Sequence, residues 1–251
     1  MTRSAFIRAT LGLTVAMLVS ACGVESSQVG TSGSSPEPST RRSAPPSVAP
    51  SAGIASCPPG GHMSSGSYAF SAIDTQTVPA TIIVPSGWTG CGLMTKEFGE
   101  PAGPGLIAFW SVANVYVNPC HWRGSLMDPA VGPAVDDLAK ALVDQDVTAA
   151  SAPATDAIGG FTGKYVRLSV PLDADVTACD NVEIAEFRFL DGPGESVWWL
   201  GAADAPGLIG EVWIVDVKGA RVVVQAAYYA DAAQPEIDEI HRIIRSISFQ
   251  Q

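Results

Sequence analysis

Two short segments place a histidine near a nucleophile, a combination that hydrolases use. His121 directly follows Cys120, and His62 lies two residues before Ser64. Adjacent side chains do not normally face each other along a chain, so His121 is better explained as a turn residue packed beside Trp122. The Ser64 segment lacks the Gly-x-Ser-x-Gly spacing of a nucleophile turn, and no nearby acid orients its histidine. The sequence therefore predicts no catalytic nucleophile.

Carboxylates are the second group that could do chemistry. Asp173, Asp175 and Asp180 have the spacing Asp-x-Asp-x4-Asp, but they lack the central Gly and the final Glu of a calcium loop, which favours a solvated acidic loop. The three histidines are far apart, and no glycine-rich segment has the order of a phosphate-binding loop. We therefore expect no metal and no cofactor. A glycosidase-type pair of acids stays open, because spacing alone nominates no pair.

Cys22 ends a segment with the parts of a secretion signal. Arg3 and Arg8 supply positive charge, and the apolar stretch 9–20 is too short to span a bilayer. The tetrapeptide VSAC that ends at Cys22 resembles the lipobox of bacterial lipoproteins. The resemblance implies a diacylglyceryl thioether on the Cys22 sulfur and cleavage before it, and two acyl chains give stable anchoring. We expect residues 1–21 to be a signal peptide and the rest to be anchored to the extracytoplasmic face of the cell membrane.

The composition after the signal divides the chain into a linker and one domain. Residues 22–56 are rich in Ser, Pro, Gly and Ala and contain no aromatic residue, so we expect a disordered tether. Residues 57–251 contain no similar break and no internal repeat, which favours a single domain. Loss of Arg3 and Arg8 would lower Lys+Arg from 14 to 12 against 25 Asp+Glu. A chain this acidic does not fit nucleic-acid binding, which needs a basic patch.

Four cysteines remain besides the one assigned to lipid: Cys57, Cys91, Cys120 and Cys179. An even number outside the cytoplasm, without Cys-x-x-Cys spacing, indicates two disulfides rather than zinc. Three pairings are possible. We favour Cys57–Cys91, which would fasten the start of the domain to its first hairpin, and Cys120–Cys179, which would tie a turn to a mid-domain loop.

Segments that alternate in polarity, or that are rich in β-branched and aromatic residues, predict strands. They cover residues 68–73, 81–84, 106–117 (one long strand or two short ones), 163–170, 183–189 and 196–200. The period changes at 133–145, where apolar residues fall on one helical face.

The C-terminal part gives the clearest pattern. Strands 211–217 and 221–229 are separated by a short Gly-containing link, which predicts an antiparallel hairpin. A helix over 235–246 follows, with isoleucines on one face that must pack on a sheet. The sequence therefore predicts an α+β fold, a mostly antiparallel sheet packed with two main helices.

Aromatic residues are numerous for one domain. Trp198 and Trp199 are adjacent in a predicted strand and should face opposite sides, and the same holds for Tyr228 and Tyr229. Exposed aromatic residues favour an interaction surface, although all of them could instead belong to the core. The candidate ligand or partner surface comprises Trp198, Trp199, Tyr228, Tyr229, His121 and Trp122.

The order of elements, with Pro85-Ser-Gly-Trp88 after a strand and a closing hairpin and long helix, resembles the PsbP-like fold, an α/β sandwich. The chain also resembles uncharacterised actinobacterial lipoproteins that carry Asn118-Pro-Cys-His-Trp122 before a Val135-Asp-Asp-Leu-Ala139 helix. The resemblance covers most of residues 68–251 and rests on structural motifs. It implies a fold and a compartment, and PsbP-like proteins are typically accessory or assembly factors that bind other proteins.

The leading functional hypothesis is a membrane-tethered, non-enzymatic binding or accessory module of the cell envelope. Its partner would be an envelope protein or an apolar envelope ligand. The rival is an extracytoplasmic hydrolase that uses two carboxylates converging on a cleft, one of them in an apolar wall. A third interpretation is a structural surface protein without a ligand.

Overall fold

The computed structural model describes residues 55–56, 61–70, 78–90, 92–99, 103–146, 148–182, 184–189, 197–201 and 206–250. For residues 55–56, 182, 184–189 and 197–201 it describes the backbone without the side chains. The predicted signal peptide, the lipidated Cys22, the tether up to residue 54 and the Cys57–Cys91 pair lie outside the described residues.

The described part of the chain contains fourteen strands and two α-helices. The strands are β1 (Ala55–Ser56), β2 (Gly66–Phe70), β3 (Ala80–Val84), β4 (Leu93–Glu97), β5 (Pro104–Trp110), β6 (Val112–Val115), β7 (Ala149–Ala150), β8 (Ala154–Ile158), β9 (Phe161–Ser169), β10 (Ile184–Phe189), β11 (Val197–Gly201), β12 (Leu208–Val217), β13 (Ala220–Tyr229) and β14 (Ser248–Phe249). The helices are α1 (Val135–Val143) and α2 (Gln234–Arg245). Short 3-10 turns occupy Val176–Ala178 and Asp180–Val182.

The strands form three sheets. The main sheet has the order β4-β5-β13-β12-β9-β7, with β8 also paired to β9, and all of its pairs are antiparallel. The smaller sheets have the orders β1-β2-β3-β14 and β11-β10-β6. β1 pairs with β2 in parallel, and the other pairs of the two smaller sheets are antiparallel. The predicted α+β class, a mostly antiparallel sheet with two helices, is confirmed.

The predicted C-terminal hairpin forms the centre of the main sheet. β12 and β13 pair without a register shift from Leu208↔Tyr229 to Val217↔Ala220. Lys218 and Gly219 join them with φ angles of 57° and 88°. Positive φ at both central residues is the conformation that matches the right-handed twist of a two-residue hairpin.

The main sheet buries both of its faces. One face of β12 and β13 packs under α2 and the small sheet that contains β2 and β3, and the other face packs with α1. Alternate residues serve the two faces: Trp213 and Val215 lie under α2, whereas Val212 and Ile214 lie under α1. This explains why β12 is apolar almost throughout instead of alternating.

Polar contacts fix the position of α2. Glu239 on this helix accepts hydrogen bonds from Trp88 Nε1 at 2.9 Å and from Lys96 Nζ at 2.6 Å. Ile240, Ile243 and Ile244 on the same helix are buried. The helix is therefore held at a defined place over the sheet, and no helix among the described residues is both long and apolar enough to cross a bilayer.

Cys120 and Cys179 form a disulfide, with their Cα atoms 4.5 Å apart. This confirms the second of the two favoured pairs. The bond links the loop after β6 to the first 3-10 turn, and the Asp180 amide donates to the Cys120 carbonyl oxygen at 2.8 Å beside it.

Candidate functional site

The disulfide-linked loop carries two residues of the predicted partner surface. His121 is exposed, with 60% of its side chain accessible. Trp122 is buried: its ring centroid lies 5.9 Å from that of Tyr116, and its Nε1 donates to the Asp180 carbonyl oxygen at 3.3 Å. Trp122 is therefore not an exposed member of the candidate surface, because its indole fills a small apolar cluster with Tyr116.

The adjacent tyrosines of β13 differ in burial. Tyr228 is buried in the cluster under α2, so it too is removed from the predicted surface, and Tyr229 is half-buried. Trp198 and Trp199 lie in β11 as predicted, but their side chains lie outside the described residues. Side chains alternate between the two faces of the strand, so the two tyrosines lie on opposite faces of the main sheet, and Tyr228 is the one buried in the core under α2.

A cluster of ionisable and aromatic side chains lies where α2 packs on the main sheet. Its centre is Glu211 of β12, whose side chain is 6% exposed. The Tyr165 hydroxyl of β9 donates to Glu211 Oε1 at 2.7 Å, and His241 Nε2 of α2 lies 2.6 Å from Glu211 Oε2. The Tyr228 hydroxyl of β13 is a further partner. A buried carboxylate is therefore held by groups from two neighbouring strands and a helix.

The register of the main sheet explains how these groups meet. Glu211 and Trp213 are two residues apart in β12 and share the face under α2. Across the ladder to β9, Trp213 pairs with Tyr165 and Glu211 pairs with Arg167. Across the ladder to β13, Glu211 pairs with Ala226, whose methyl group takes little space. The continuous register of three strands therefore places every sheet residue of the cluster.

The cluster shifts the pKa values of its members. Burial raises the pKa of Glu211, but the hydrogen bonds of His241 and Tyr165 outweigh burial and hold it below the ordinary value. The hydrogen bond to Glu211 raises the pKa of His241 despite partial burial. Burial and the neighbouring Glu211 raise the pKa of Tyr165, and the same two causes raise that of Tyr228 to about 12. Glu211 is therefore ionised, and the proton of the pair is favoured on His241.

A second ion pair borders the cluster. Arg245 of α2 donates to both oxygens of Asp156 of β8, from Nη1 at 3.0 Å and from Nη2 at 2.7 Å. Trp213 Nε1 donates to Asp156 Oδ2 at 2.8 Å. The Arg245 hydrogen bond is the main cause that lowers the pKa of Asp156 to about 2. Asp156 is therefore also ionised.

These groups line a cavity of about 220 Å³, which we call the His241 pocket. Its lining residues are Asp156, Tyr165, Glu211, Trp213, His241 and Arg245. It opens to solvent beside His241 and Arg245, whose side chains are 39% and 53% exposed. His241 and Arg245 fall in the predicted helix 235–246 without a pattern that marks them as site residues, and the sequence gives Asp156 no such mark either. One signal was available: Glu211 is an acid at the start of a long apolar run.

The protonation states limit the chemistry of the His241 pocket. A glycosidase pair needs one carboxylic acid that stays protonated until it donates. Asp156 and Glu211 both have lowered pKa values, so neither fits that role. Within the described ranges, no group of three or more His, Cys, Asp or Glu side chains is placed to hold a metal ion. The arrangement is suited to binding through hydrogen bonds, charge and aromatic surface.

Replacing Asp156 with asparagine is expected to lower the free energy of unfolding by about 1 kcal/mol at neutral pH, because the pair with Arg245 is partly exposed. The folded-state pKa of Asp156 is depressed, so its contribution is present above the ordinary value of 3.8 and is lost as pH falls toward about 2. Urea unfolding from pH 7 to pH 2 measures this difference. The exposed Asp173→Asn is the control and should not change stability. A difference that persists unchanged at pH 2 would contradict the prediction.

Comparison with known proteins gives few similarities. No family model and no curated protein matches the chain. One similar solved structure is LpqN, described as involved in cell envelope biogenesis of Mycobacterium tuberculosis. It is 12% identical, and the match covers 74% of this chain and 91% of LpqN with a TM-score of 0.35. A protein of Bacteroides thetaiotaomicron is 9% identical over 68% of this chain and 45% of its own length, with a TM-score of 0.31. Both TM-scores are too low to transfer a fold or a function, and the resemblance to PsbP-like proteins stays a prediction.

Proposed function

We propose that this chain is a lipid-anchored, extracytoplasmic binding module that receives a component of the cell envelope in the His241 pocket. The anchor is the acylated Cys22, and residues 23–54 are the tether. The ligand is an apolar envelope molecule or a segment of an envelope protein. The chain does not catalyse a reaction on it.

The observation that carries the binding role is the buried, ionised Glu211 at the base of a solvent-open pocket. A buried ion pair rarely stabilises a fold more than apolar residues of the same volume would. Groups with perturbed pKa values that line a cleft are typical of functional sites. The Glu211–His241 pair has both properties, and aromatic rings of Tyr165 and Trp213 form the adjacent wall.

Two features support the compartment. The VSAC tetrapeptide follows a positively charged and apolar N-terminal segment, the pattern of a lipoprotein signal. The Cys120–Cys179 disulfide fits an oxidising location, since such bonds form and persist mainly outside the cytoplasm. Lipid rather than surface charge must hold the chain on the membrane, because a processed chain with 12 Lys+Arg against 25 Asp+Glu is repelled by anionic headgroups.

The anchor is tested with Cys22→Ala. The parent chain is expected to incorporate labelled palmitate, to begin at residue 22 and to sediment with membranes. The variant is expected to lose the label and to remain uncut, because both processing steps need the thiol. Cys57→Ala is the matched control and should still be labelled. A parent chain without the label, or a Cys22→Ala variant processed like the parent, would refute the anchor.

The binding role is tested with the acylated chain extracted from membranes in mild detergent. Native mass spectrometry is expected to detect a bound envelope component that is lost in His241→Gln. The exposed His121→Gln carries the same substitution elsewhere and should retain it. A component held equally by both variants, or no component in the parent, would count against the pocket as the binding site.

A further inference from the structure

The acceptor atoms of the His241 pocket are already in use. Asp156 Oδ1 accepts from Arg245 Nη1 and from the Ala157 amide at 3.0 and 2.8 Å. Asp156 Oδ2 accepts from Arg245 Nη2 and from Trp213 Nε1 at 2.7 and 2.8 Å. Each oxygen of this carboxylate thus has two donors, which matches its lone pairs.

Glu211 is occupied in the same way. Its oxygens contact the Tyr165 hydroxyl and His241 Nε2, and the Tyr228 hydroxyl adds a further hydrogen bond. Only 6% of its side chain is exposed. Neither carboxylate of the pocket is therefore free to bind a cation or the hydroxyl groups of a ligand.

Donor atoms remain in excess at the mouth of the pocket. His241 uses Nε2 for Glu211, and its Nδ1 has no partner among the described residues. Arg245 uses Nη1 and Nη2, and its Nε likewise has no partner in the described part of the chain. Both side chains are partly exposed, so a ligand can reach these nitrogens from solvent.

The charges that line the pocket are balanced. Arg245 and His241 face the carboxylates of Asp156 and Glu211, and Arg242 and Asp238 of α2 line the adjoining groove together with His241 and Arg245. This balance occurs in a chain whose net charge is −11. An anion is therefore repelled less at this site than over the rest of an acidic surface.

We propose that the His241 pocket receives a small oxyanion, a carboxylate or phosphate group, which accepts hydrogen bonds from His241 Nδ1 and the Arg245 guanidinium. The proposal rests on the binding role given above and names the chemistry of its ligand. A cavity of about 220 Å³ has room for such a group, since a water molecule takes about 30 Å³. Arginine suits this role because its planar N–H groups match the spacing of carboxylate and phosphate oxygens. The oxyanion is either the head of the otherwise apolar envelope ligand, an anionic lipid, or a free ion that binds beside that ligand.

The test uses ¹⁵N-imidazole NMR of the full acylated chain in non-ionic detergent, where the three histidines give separate signals. Inorganic phosphate and acetate are added in turn at constant ionic strength. The His241 signals are expected to move and saturate, while those of His62 and His121 stay in place. Micelles doped with phosphatidylglycerol or with phosphatidylcholine are the second arm. A shift with phosphatidylglycerol at lower concentration than with free phosphate identifies a lipid head, and the reverse identifies a free ion.

Two variants separate binding from folding. The double variant Asp156→Asn with Arg245→Gln removes the guanidinium without leaving an unpaired charge and is expected to weaken phosphate binding by roughly tenfold or more. Asp156→Asn alone keeps the guanidinium and removes a competing carboxylate, so it should bind phosphate at least as tightly as the parent. Lys140→Gln with Asp144→Asn, which removes an exposed ion pair at α1 and likewise leaves the net charge unchanged, is the charge-matched control. Equal affinities in the parent and the double variant would overturn the proposal.

Failure of this proposal is distinguishable from failure of the binding role. If neither phosphate, acetate nor phosphatidylglycerol moves the His241 signals in a saturable manner, the oxyanion assignment is wrong. The binding role still stands in that case if an envelope component remains bound to the parent and is lost in His241→Gln. If that component is also absent, both proposals fail.

Discussion

Replacing Cys120 and Cys179 together with alanine lowers the free energy of unfolding by about 4 kcal/mol. The bond joins residues with a sequence separation of 59, and a cross-link of this span removes loop-closure entropy from the unfolded chain. Because domains are typically stable by only about 5–15 kcal/mol, this is a large share of the total. Urea unfolding of the oxidised parent and of the variant, without reductant, measures the difference.

The same variant keeps local contacts that do not depend on sulfur. The Asp180 amide still reaches the Cys120 carbonyl, and Trp122 still donates to the Asp180 carbonyl. Trp122 should therefore remain buried at low urea, and the tryptophan fluorescence of the variant should match that of the parent. His121→Ala, which alters an exposed side chain of the same loop, is the control and should cost less than about 0.5 kcal/mol. A loss below about 1 kcal/mol in the double variant would contradict the entropic account.

The elements that the sequence predicted are those that carry a strong pattern of their own. The isoleucines of α2 recur at helical spacing, and Ile240, Ile243 and Ile244 are buried as that spacing requires. The short Gly-containing link predicted the central hairpin, because glycine readily adopts the positive φ angle that a two-residue hairpin turn requires. The predicted segment 106–117 proved to be two strands, β5 and β6, which separate at Ser111 and pair in different sheets.

Besides the two-residue β7, two strands of the main sheet were missed for a common physical reason. β4 contains Lys96 and Glu97, and β8 reads ATDAI, so neither is rich in β-branched or aromatic residues. Both pair with one main-sheet neighbour, β4 with β5 and β8 with β9. Their structure is imposed by the neighbouring strand rather than by their own propensity. Such strands are hard to recognise in one sequence.

The candidate site could not be predicted because its members are distant in sequence. His241 and Glu211 are 30 residues apart, and Asp156 and Arg245 are 89 apart. Each is unremarkable locally: a basic residue late in a helix, or an acid within a strand. Only the register of β8, β9, β12 and β13, with α2 packed over the sheet, brings these residues together. The surplus of aromatic residues, by contrast, mostly built the core, as Trp88, Trp110, Trp122 and Trp213 show.

Replacing His241 with leucine is expected to lower the free energy of unfolding by about 3 kcal/mol near pH 6. The substitution leaves Glu211 ionised and buried with only the tyrosine hydroxyls as partners, and an unpaired buried charge is strongly destabilising. The double variant Glu211→Leu with His241→Leu removes both charges and should recover most of the loss. His121→Leu is the matched control for an exposed histidine. A double variant that is less stable than His241→Leu would show that Glu211 does not cause the loss.

The loss should depend on pH in a direction that the two pKa shifts determine. His241 lies beside Glu211 of β12 and its own helix neighbours Asp238 and Arg245, and Glu211 in turn contacts the hydroxyls of Tyr165 and Tyr228. The pKa of His241 is raised in the folded chain, so its contribution is complete below the ordinary value of 6.5 and fades as pH rises through the folded value.

The pKa of Glu211 is depressed, so its contribution is complete above 4.5 and is lost as pH falls through the folded value. The difference between the parent and His241→Leu is therefore expected to be largest between about pH 4.5 and 6.5 and to shrink on both sides. Urea unfolding of both proteins from pH 4 to pH 9 checks this. A difference that grows above pH 7 would mean that the neutral imidazole, rather than the ion pair, stabilises the buried carboxylate. In that case Arg245 alone would supply the positive charge that lines the pocket.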